Sequence, residues 1–237
     1  VGRKPISFEL KALALLIKAW HDLTYEGIVA ELRDHWAEFQ RYGYEEIPSD
    51  TTLWRAMKAI TPAWFRQLNQ ELNETFEGDG RWTGDSTGFS TSTYIRWRDL
   101  TGHIEMAKRA ALKLHCLIQL PFLNIPCMEV TGGEAGDSPQ LKNLLESLPL
   151  EDIEAVASDS AYLSRRNCDF VEAIGAKPYI KLKKNSTARS HGSKAWRSMI
   201  LDCRENSEEW NKRYHIRSSA ETAFSTIKRR FGYQLSS

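Results

Sequence analysis

The sequence lacks the cysteine spacing that zinc sites and disulfide frameworks need. Its four cysteines stand far apart with no CxxC among them: Cys116, Cys127, Cys168 and Cys203. The six histidines form no paired ligand set. We therefore expect reduced thiols of a cytoplasmic protein, and neither a structural zinc nor disulfides.

Long apolar runs are also absent, so no transmembrane segment and no membrane partner are predicted, and the N-terminus has no signal-peptide pattern. Hydrophobic residues make up 41% and charged residues 27% of the 237 positions, which is typical of a globular protein with one large or two small domains. Because the chain starts at Val1 and ends just beyond a predicted helix, we expect a fragment with a truncated C-terminus.

The net charge of +1 conceals an uneven distribution. From Lys177 onward the chain carries 14 Lys and Arg against 5 Asp and Glu, so this segment is strongly basic and the remainder acidic. A basic C-terminal third indicates a surface that binds along a polyanion. The alternative is that these charges are simply scattered over a solvated surface. The cations expected to track a DNA backbone are Lys181, Lys183, Lys184, Arg189, Lys194, Arg229 and Arg230.

Residues 1–76 are predicted to form a helical domain. Apolar residues recur at helical spacing from Ser7 to Trp20 and again after Thr24, which suits an N-cap. A further helix is expected from Thr51 to Ile60, with Met57 on its buried face. Its polar residues point away from that face: Thr51, Thr52, Arg55 and Lys58. This arrangement is helix-turn-helix-like and suits insertion into a DNA major groove, although a structural helical bundle fits the same pattern.

After Gly80 the pattern changes to strands and then to alternating helices and strands. The predicted strands are Arg81–Thr83, Thr93–Arg98, Ala111–Leu120, Cys127–Thr131, Ile153–Ala157 and Pro178–Leu182. The predicted helices are Asp137–Leu148, Arg165–Ile174 and one long helix or helix pair over Ser193–Arg230. A meander followed by such alternation is the ribonuclease H-like order. The predicted fold class is α/β, with a mixed sheet flanked by helices over residues 77–237.

Three carboxylates are expected to meet in such a sheet. Asp85 is predicted at the end of the first strand and Asp159 at the end of a neighbouring strand, with Glu221 reaching them from the last helix. Three carboxylates repel one another, and two divalent cations about 4 Å apart would remove that repulsion and serve an in-line phosphoryl transfer. Taken singly, Asp85 also suits a turn and Asp159 a cap.

One stripe on the last helix is unusually polar. Tyr214, Arg217, Glu221, Phe224 and Lys228 follow at spacings of three, four, three and four, which on a continuous α-helix places them within an arc of roughly 80°. Such stripes are normally apolar. A carboxylate among cations indicates a site for an anion, a metal or both, whereas the simpler interpretation is an exposed i,i+4 pair of Arg217 and Glu221.

The stripe resembles the Tyr-x2-Arg-x3-Glu-x6-Lys signature of the DDE transposases of bacterial and archaeal insertion sequences, at every spacing. The segments Gly84–Thr87 and Ala157–Tyr162 are similar to that family's first and second aspartate motifs. The resemblance covers about Trp82 to Phe231. Family members usually continue beyond the signature helix, and here the preceding loop is too short for a large inserted β-domain.

The resemblance implies a transposase that cleaves DNA at transposon ends and joins them to target DNA. It implies that Asp85, Asp159 and Glu221 are the catalytic ligands of two Mg²⁺ ions, for which Mn²⁺ can substitute. It also implies that Tyr214, Arg217 and Lys228 contact phosphates. The implied partners are double-stranded DNA and a second copy in a homodimer. Two alternatives remain: a ribonuclease H-like nuclease or resolvase that only hydrolyses, and a domesticated, non-catalytic DNA-binding protein.

Four further residues received weaker interpretations. Lys113 and His115 alternate along one strand, which predicts an exposed strand face, with a DNA contact as the alternative. Trp97 and Trp196 are expected in the core, with stacking on DNA bases as the alternative.

Overall fold

The computed structural model describes residues 5–91, 111–148 and 153–235. The chain divides into two compact units, Val1–Leu68 and Asn69–Ser237. The strand expected at Thr93–Arg98, together with Trp97, lies outside the described residues. Within the described ranges, no helix has both the length and the apolar character needed to cross a membrane.

The first unit is helical, as predicted. Its helices are α1 (Phe8–Trp20), α2 (Tyr25–Asp34), α3 (Trp36–Arg41), α4 (Asp50–Ala59) and the start of α5 (Pro62–Asn73). Ser7, Thr24 and Ser49 cap α1, α2 and α4 by accepting bonds from backbone N–H groups. The short α3 was not predicted, because six residues are too few to show a helical period. Met57 was expected to be buried and is 48% exposed, since α4 packs on α1 and α2 through Leu53 and Ala56 instead.

The second unit is built on a mixed sheet. Within the described ranges its strands run in the order β3-β2-β1-β4-β5. They are β1 (Arg81–Ser90), β2 (Ala111–Gln119), β3 (Asn124–Gly132), β4 (Ala155–Ser158) and β5 (Lys177–Ile180). The first three form an antiparallel meander, and β4 and β5 add in parallel on the other side of β1. This order and pairing confirm the predicted ribonuclease H-like fold class.

Helices cover both faces of this sheet. They are α6 (Ser138–Glu146), α7 (Arg165–Ala173), α8 (Lys194–Glu205), α9 (Ser207–Tyr214) and α10 (Ser218–Phe231). The main core joins the sheet to α6, α7 and α8 through side chains such as Leu141, Val171 and Ile200. A second cluster packs Ala220 and Phe224 of α10 against β2. Because this apolar contact fixes α10 on the sheet, the polar residues of the same helix are held near β1.

Two predictions about the elements that carry the polar residues were wrong. β1 does not end near Thr83 but continues to Ser90, because its antiparallel pairing with β2 extends over the whole strand. The terminal helix is not continuous: α9 ends at Tyr214, a 3₁₀ turn covers His215–Arg217, and α10 begins at Ser218. Trp196 is buried with its indole N–H bonded to the Thr187 carbonyl at 2.8 Å, so core packing rather than base stacking explains it.

Candidate active site

The sheet register places two aspartates side by side. Gly84 of β1 is the last residue paired with β4, opposite Ser158, so Asp85 and Asp159 are the next residues on two parallel strands. Neighbouring strands lie about 4.8 Å apart. The prediction that the two carboxylates lie on adjacent strands is therefore met. The prediction that Asp85 ends its strand was wrong, because only the pairing with β4 ends there.

Local backbone groups orient both carboxylates. The Ser86 N–H donates to Asp85 Oδ1 at 2.8 Å, and the Ser160 N–H donates to Asp159 Oδ1 at 2.6 Å. Asp159 thereby caps the 3₁₀ turn that follows β4. A Cβ at Gly84 would lie 2.9 Å from a Leu141 methyl carbon, so glycine allows α6 to approach the strand beside Asp85.

Asp85 lies in an environment that disfavours its charge. Burial raises the pKa of its carboxyl group, and the neighbouring charges of Asp159 and Asp137 raise it further. The Ser86 N–H and the Arg217 guanidinium oppose this rise but do not cancel it. A charged Asp85 is therefore costly unless a cation approaches it.

Arg217 supplies one such cation and links two predicted ligands. Its Nη1 lies 3.3 Å from Asp85 Oδ2, and its Nη2 donates to Glu221 Oε1. The Asp85 and Arg217 side chains are only 17% and 23% exposed, whereas Glu221 is 64% exposed. Arg217 is thus not merely half of an exposed helical pair, because its guanidinium joins the helix to the sheet.

The remaining signature residues lie on different elements. Tyr214 ends α9 and stacks on Trp210, with ring centroids 5.2 Å apart and planes 12° from parallel. Burial raises the pKa of its phenol. Lys228, in the last turn of α10, lies 5.4 Å from the Phe89 ring centroid and 5.6 Å from that of Tyr233, and burial lowers its pKa. A 3₁₀ turn at His215–Arg217 interrupts the continuous helix on which the stripe was predicted, but Arg217 still pairs with Glu221 four residues later.

A fourth carboxylate, which the sequence analysis treated only as part of a helix start, lies close by. Asp137 makes no capping bond; its Oδ1 accepts from Ser86 Oγ at 2.9 Å and from Lys113 Nζ at 3.0 Å. His115 Nδ1 lies 3.4 Å from the same oxygen, and its Nε2 pairs with Thr131 Oγ1 at 2.9 Å. Burial lowers the pKa of His115, although the nearby charge of Asp137 acts to raise it. The expected exposed face was wrong, because His115 is fully buried and Lys113 is 14% exposed.

Comparison with known proteins identifies the family of this chain. The family model described as the transposase DDE domain matches residues 82–237, well over half of the chain. The chain belongs to this family. It is accordingly a DDE transposase, a polynucleotidyl transferase and endonuclease by class, which confirms the resemblance inferred from the signature.

Two solved structures are distantly similar to this DDE transposase. The Mos1 transposase paired-end complex with the left transposon end is 11% identical, with a TM-score of 0.30, and the match covers 91% of this chain and 80% of the Mos1 chain. A pre-cleavage Mos1 transpososome is 10% identical, with a TM-score of 0.31, and the match covers 100% of this chain and 82% of the Mos1 chain. No curated protein sequence matches the chain. The fold assignment therefore rests on the strand order and not on these structures.

DDE transposases depend on divalent metal ions, and the donors available here fit that requirement. Asp85, Asp159 and Glu221 offer the carboxylate oxygens that hard divalent cations prefer. Among the described residues, however, no three His, Cys, Asp or Glu side chains stand close enough together to hold one ion. The Arg217 guanidinium contacts both the Asp85 and the Glu221 carboxylates.

The candidate recognition residues of this transposase all lie on α4. Thr51, Arg55 and Lys58 are exposed, and Thr52 is half-buried with its hydroxyl 2.9 Å from that of Ser49. The Lys58 ammonium also lies 3.7 Å from the centroid of the Trp54 ring. These positions leave an exposed polar face on α4, and its contact with DNA stays a prediction.

Proposed function

We propose that this transposase cleaves DNA at the ends of its transposon and then joins the freed 3′-hydroxyl to target DNA at the same site. The observation that carries the proposal is the juxtaposition of Asp85 and Asp159 on parallel strands, with Glu221 tied to Asp85 through Arg217. Both steps are in-line displacements at phosphorus, so one arrangement of carboxylates serves both.

We further propose Asp85, Asp159 and Glu221 as the ligands of two Mg²⁺ ions, with Mn²⁺ as a substitute. Bound metal would activate the attacking oxygen and stabilise the leaving oxygen of the displacement. The protein's own contribution is orientation, since the Ser86 and Ser160 N–H groups hold Oδ1 of each aspartate, while Oδ2 of Asp85 contacts Arg217. Glu221 lies in the first turn of α10 with its side chain mostly exposed.

Arg217, Lys228 and Tyr214 are proposed to contact phosphates of the transposon end. Arginine stays protonated at any working pH and offers a planar fork for a phosphate, so Arg217 cannot act as a general acid or base. Lys228 faces aromatic rings, and no carboxylate of the described residues pairs with its ammonium. Replacing Lys228 with Ala should weaken end binding and lower its salt slope by about one unit, as measured by binding titrations at several salt concentrations.

Residues 1–76 are proposed to recognise the transposon end through α4, in a homodimer acting at the nucleoid. The support is the exposed polar face of a helix whose other side is packed on α1 and α2. Arg55→Ala should weaken binding to the transposon end more than binding to random duplex if the side chain contacts a base. An equal loss on both duplexes would make Arg55 a phosphate contact.

A nicking assay tests the metal-site assignment. The substrate is a supercoiled plasmid that carries the terminal repeats found on either side of the gene, with Mg²⁺ or Mn²⁺ present. Asp85→Asn, Asp159→Asn and Glu221→Gln should each abolish nicking while DNA binding persists, because ligand charge is lost but the DNA contacts remain. Asp202→Asn is the matched control, since Asp202 pairs with Lys177 at 2.8 Å instead of joining this site.

Normal nicking by any of the three variants would remove that residue from the site. A pre-cut transposon end incubated with a target plasmid then separates transposition from simple hydrolysis. Joined products support the proposed transposase, whereas hydrolysis without joining would favour a nuclease.

A further inference from the structure

A segment of exposed cations begins directly beside Asp159. The basic segment, residues 181–197, follows β5, and the Lys181 N–H donates to the Ser158 carbonyl at 3.1 Å. It contains no Asp or Glu. Its six cations are all exposed, and none forms an ion pair with a carboxylate of the described residues: Lys181, Lys183, Lys184, Arg189, Lys194 and Arg197. Surfaces usually intersperse charges of both signs, so this concentration of one sign indicates an anionic partner.

Hydrogen bonds from two arginine side chains hold the backbone of the basic segment. The Arg165 guanidinium donates to the carbonyls of Ser190 and Arg189 at 3.0 and 3.1 Å and lies 4.6 Å from the Trp196 ring centroid. Arg204 donates to the Ser186 carbonyl at 3.0 Å. A partner that binds here therefore meets cations on an ordered backbone, which reduces the entropy lost on binding.

The position of the basic segment in the sheet separates it from the signature residues. Arg217 contacts Asp85 on β1, and α10 packs against β2. The basic segment follows β5, which is separated from β1 by β4. The carboxylates of Asp85 and Asp159 thus lie between two cationic surfaces, one on α10 and one on the basic segment.

We propose that the basic segment binds duplex DNA on the far side of the scissile phosphate, which is flanking DNA before cleavage and target DNA during strand transfer. The inference rests on the proposed function, which assigns the transposon end to Arg217 and Lys228. A duplex that runs from α10 across the carboxylates continues over the β4–β5 side of the sheet, where the basic segment lies. Six exposed cations along the segment match a phosphate backbone better than a single small anion.

Binding titrations on two duplexes test the assignment. One duplex carries the transposon end with flanking DNA, and the other carries the same end without the flank. The variant replaces Lys183, Lys184 and Arg189 with Gln, because these three side chains form no hydrogen bond, ion pair or ring contact with the described residues. On the flanked duplex we expect about a tenfold loss of affinity at 0.1 M salt and a salt slope lower by about two to three units. Binding to the unflanked duplex should be unchanged.

A matched control replaces three cations that are already neutralised. Lys142, Lys212 and Arg213 pair with glutamates one helical turn away at 3.1–3.2 Å, so their replacement by Gln removes the same net charge from the same unit. This control should bind both duplexes nearly as the wild type does. Replacing Lys183 and Lys184 with Arg should preserve binding to the flanked duplex, since the positive charges remain.

Two outcomes would overturn the proposal. Equal loss on both duplexes would assign the basic segment to the transposon end, and no loss on either would exclude it as a DNA surface. The test is separable from the proposed function, because affinity is measured without cleavage. If the wild type fails to nick DNA but the flank-dependent loss persists, the proposed chemistry is wrong and the DNA surface stands.

Discussion

Arg217→Gln is expected to strengthen metal binding by the DNA-free protein. The guanidinium bridges Asp85 and Glu221, so it competes for the carboxylates that are proposed to hold metal. Glutamine is neutral and cannot maintain this charge pairing. Burial already raises the pKa of Asp85, so the variant leaves a costly carboxylate without its cation until a metal ion arrives.

The magnitude follows from the two contacts. Two unit charges at the 3.3 Å of the Asp85 contact interact by about 5 kcal/mol at an effective dielectric constant of about 20, which sets an upper limit for this contact. Desolvation of Arg217 offsets much of this attraction. The contact with the mostly exposed Glu221 adds no more than about 1 kcal/mol. A net gain of about 1.4 kcal/mol corresponds to about tenfold tighter metal binding.

Mn²⁺ titration followed by electron paramagnetic resonance measures this affinity without DNA or turnover. Lys228→Gln is the control, because it removes an equal charge from the helix that follows Arg217 without disturbing a carboxylate pair among the described residues. Arg217→Lys should fall between wild type and Arg217→Gln, since one ammonium cannot bridge both carboxylates as a planar fork does. Weaker Mn²⁺ binding by Arg217→Gln than by wild type would refute the competition and make Arg217 a support for the ligands.

Three further predictions concern stability, each measured without metal in EDTA. Asp85→Asn should raise the melting temperature at pH 7 by about 2–4 °C for each kcal/mol of charge burial that it relieves. Because the pKa of Asp85 in the folded protein is raised above 3.8, this difference in melting temperature should shrink as the pH falls through that pKa. A difference that stays constant with pH would contradict the direction of the pKa shift. Lys113→Met should cost about 3 kcal/mol in denaturant unfolding by leaving Asp137 unpaired, whereas Lys177→Met, at a pair whose lysine is 55% exposed, should cost at most about 1 kcal/mol; equal costs would contradict the burial argument. Gly84→Ala should cost about 1–3 kcal/mol by the same measurement, because its Cβ would lie 2.9 Å from an α6 side chain, and an unchanged stability would mean that α6 shifts freely.

Local sequence was sufficient for much of the fold. Thr24 was correctly predicted to start a helix, because a cap needs only its own hydroxyl and an N–H three residues later. The order of strands and helices also predicted the sheet class, since parallel strands need long crossover connections whereas antiparallel strands are joined directly. Asp85 and Asp159 were brought together by this reasoning alone.

Contacts between distant segments decided what the sequence did not reveal. β1 extends to Ser90 because β2 pairs with it, and no local pattern around Thr83 records that partner. Asp137 has the position of a helix cap, but its carboxylate accepts hydrogen bonds from the Lys113 ammonium and the Ser86 hydroxyl instead of from the helix backbone. Local propensity cannot weigh a charged partner that is supplied from another strand.

The sequence by itself determined the family and which residues are proposed to carry the chemistry, because the Tyr-Arg-Glu-Lys spacing and the two aspartate motifs are written in the chain. Only the tertiary structure decided how they are arranged. The Arg217 guanidinium contacts Asp85 on β1 as well as Glu221 on α10, so it joins helix to sheet instead of forming only the exposed pair of the simpler interpretation. The physical reason is that helical spacing fixes neighbours only within one continuous helix, whereas electrostatic pairing depends on where separate elements pack.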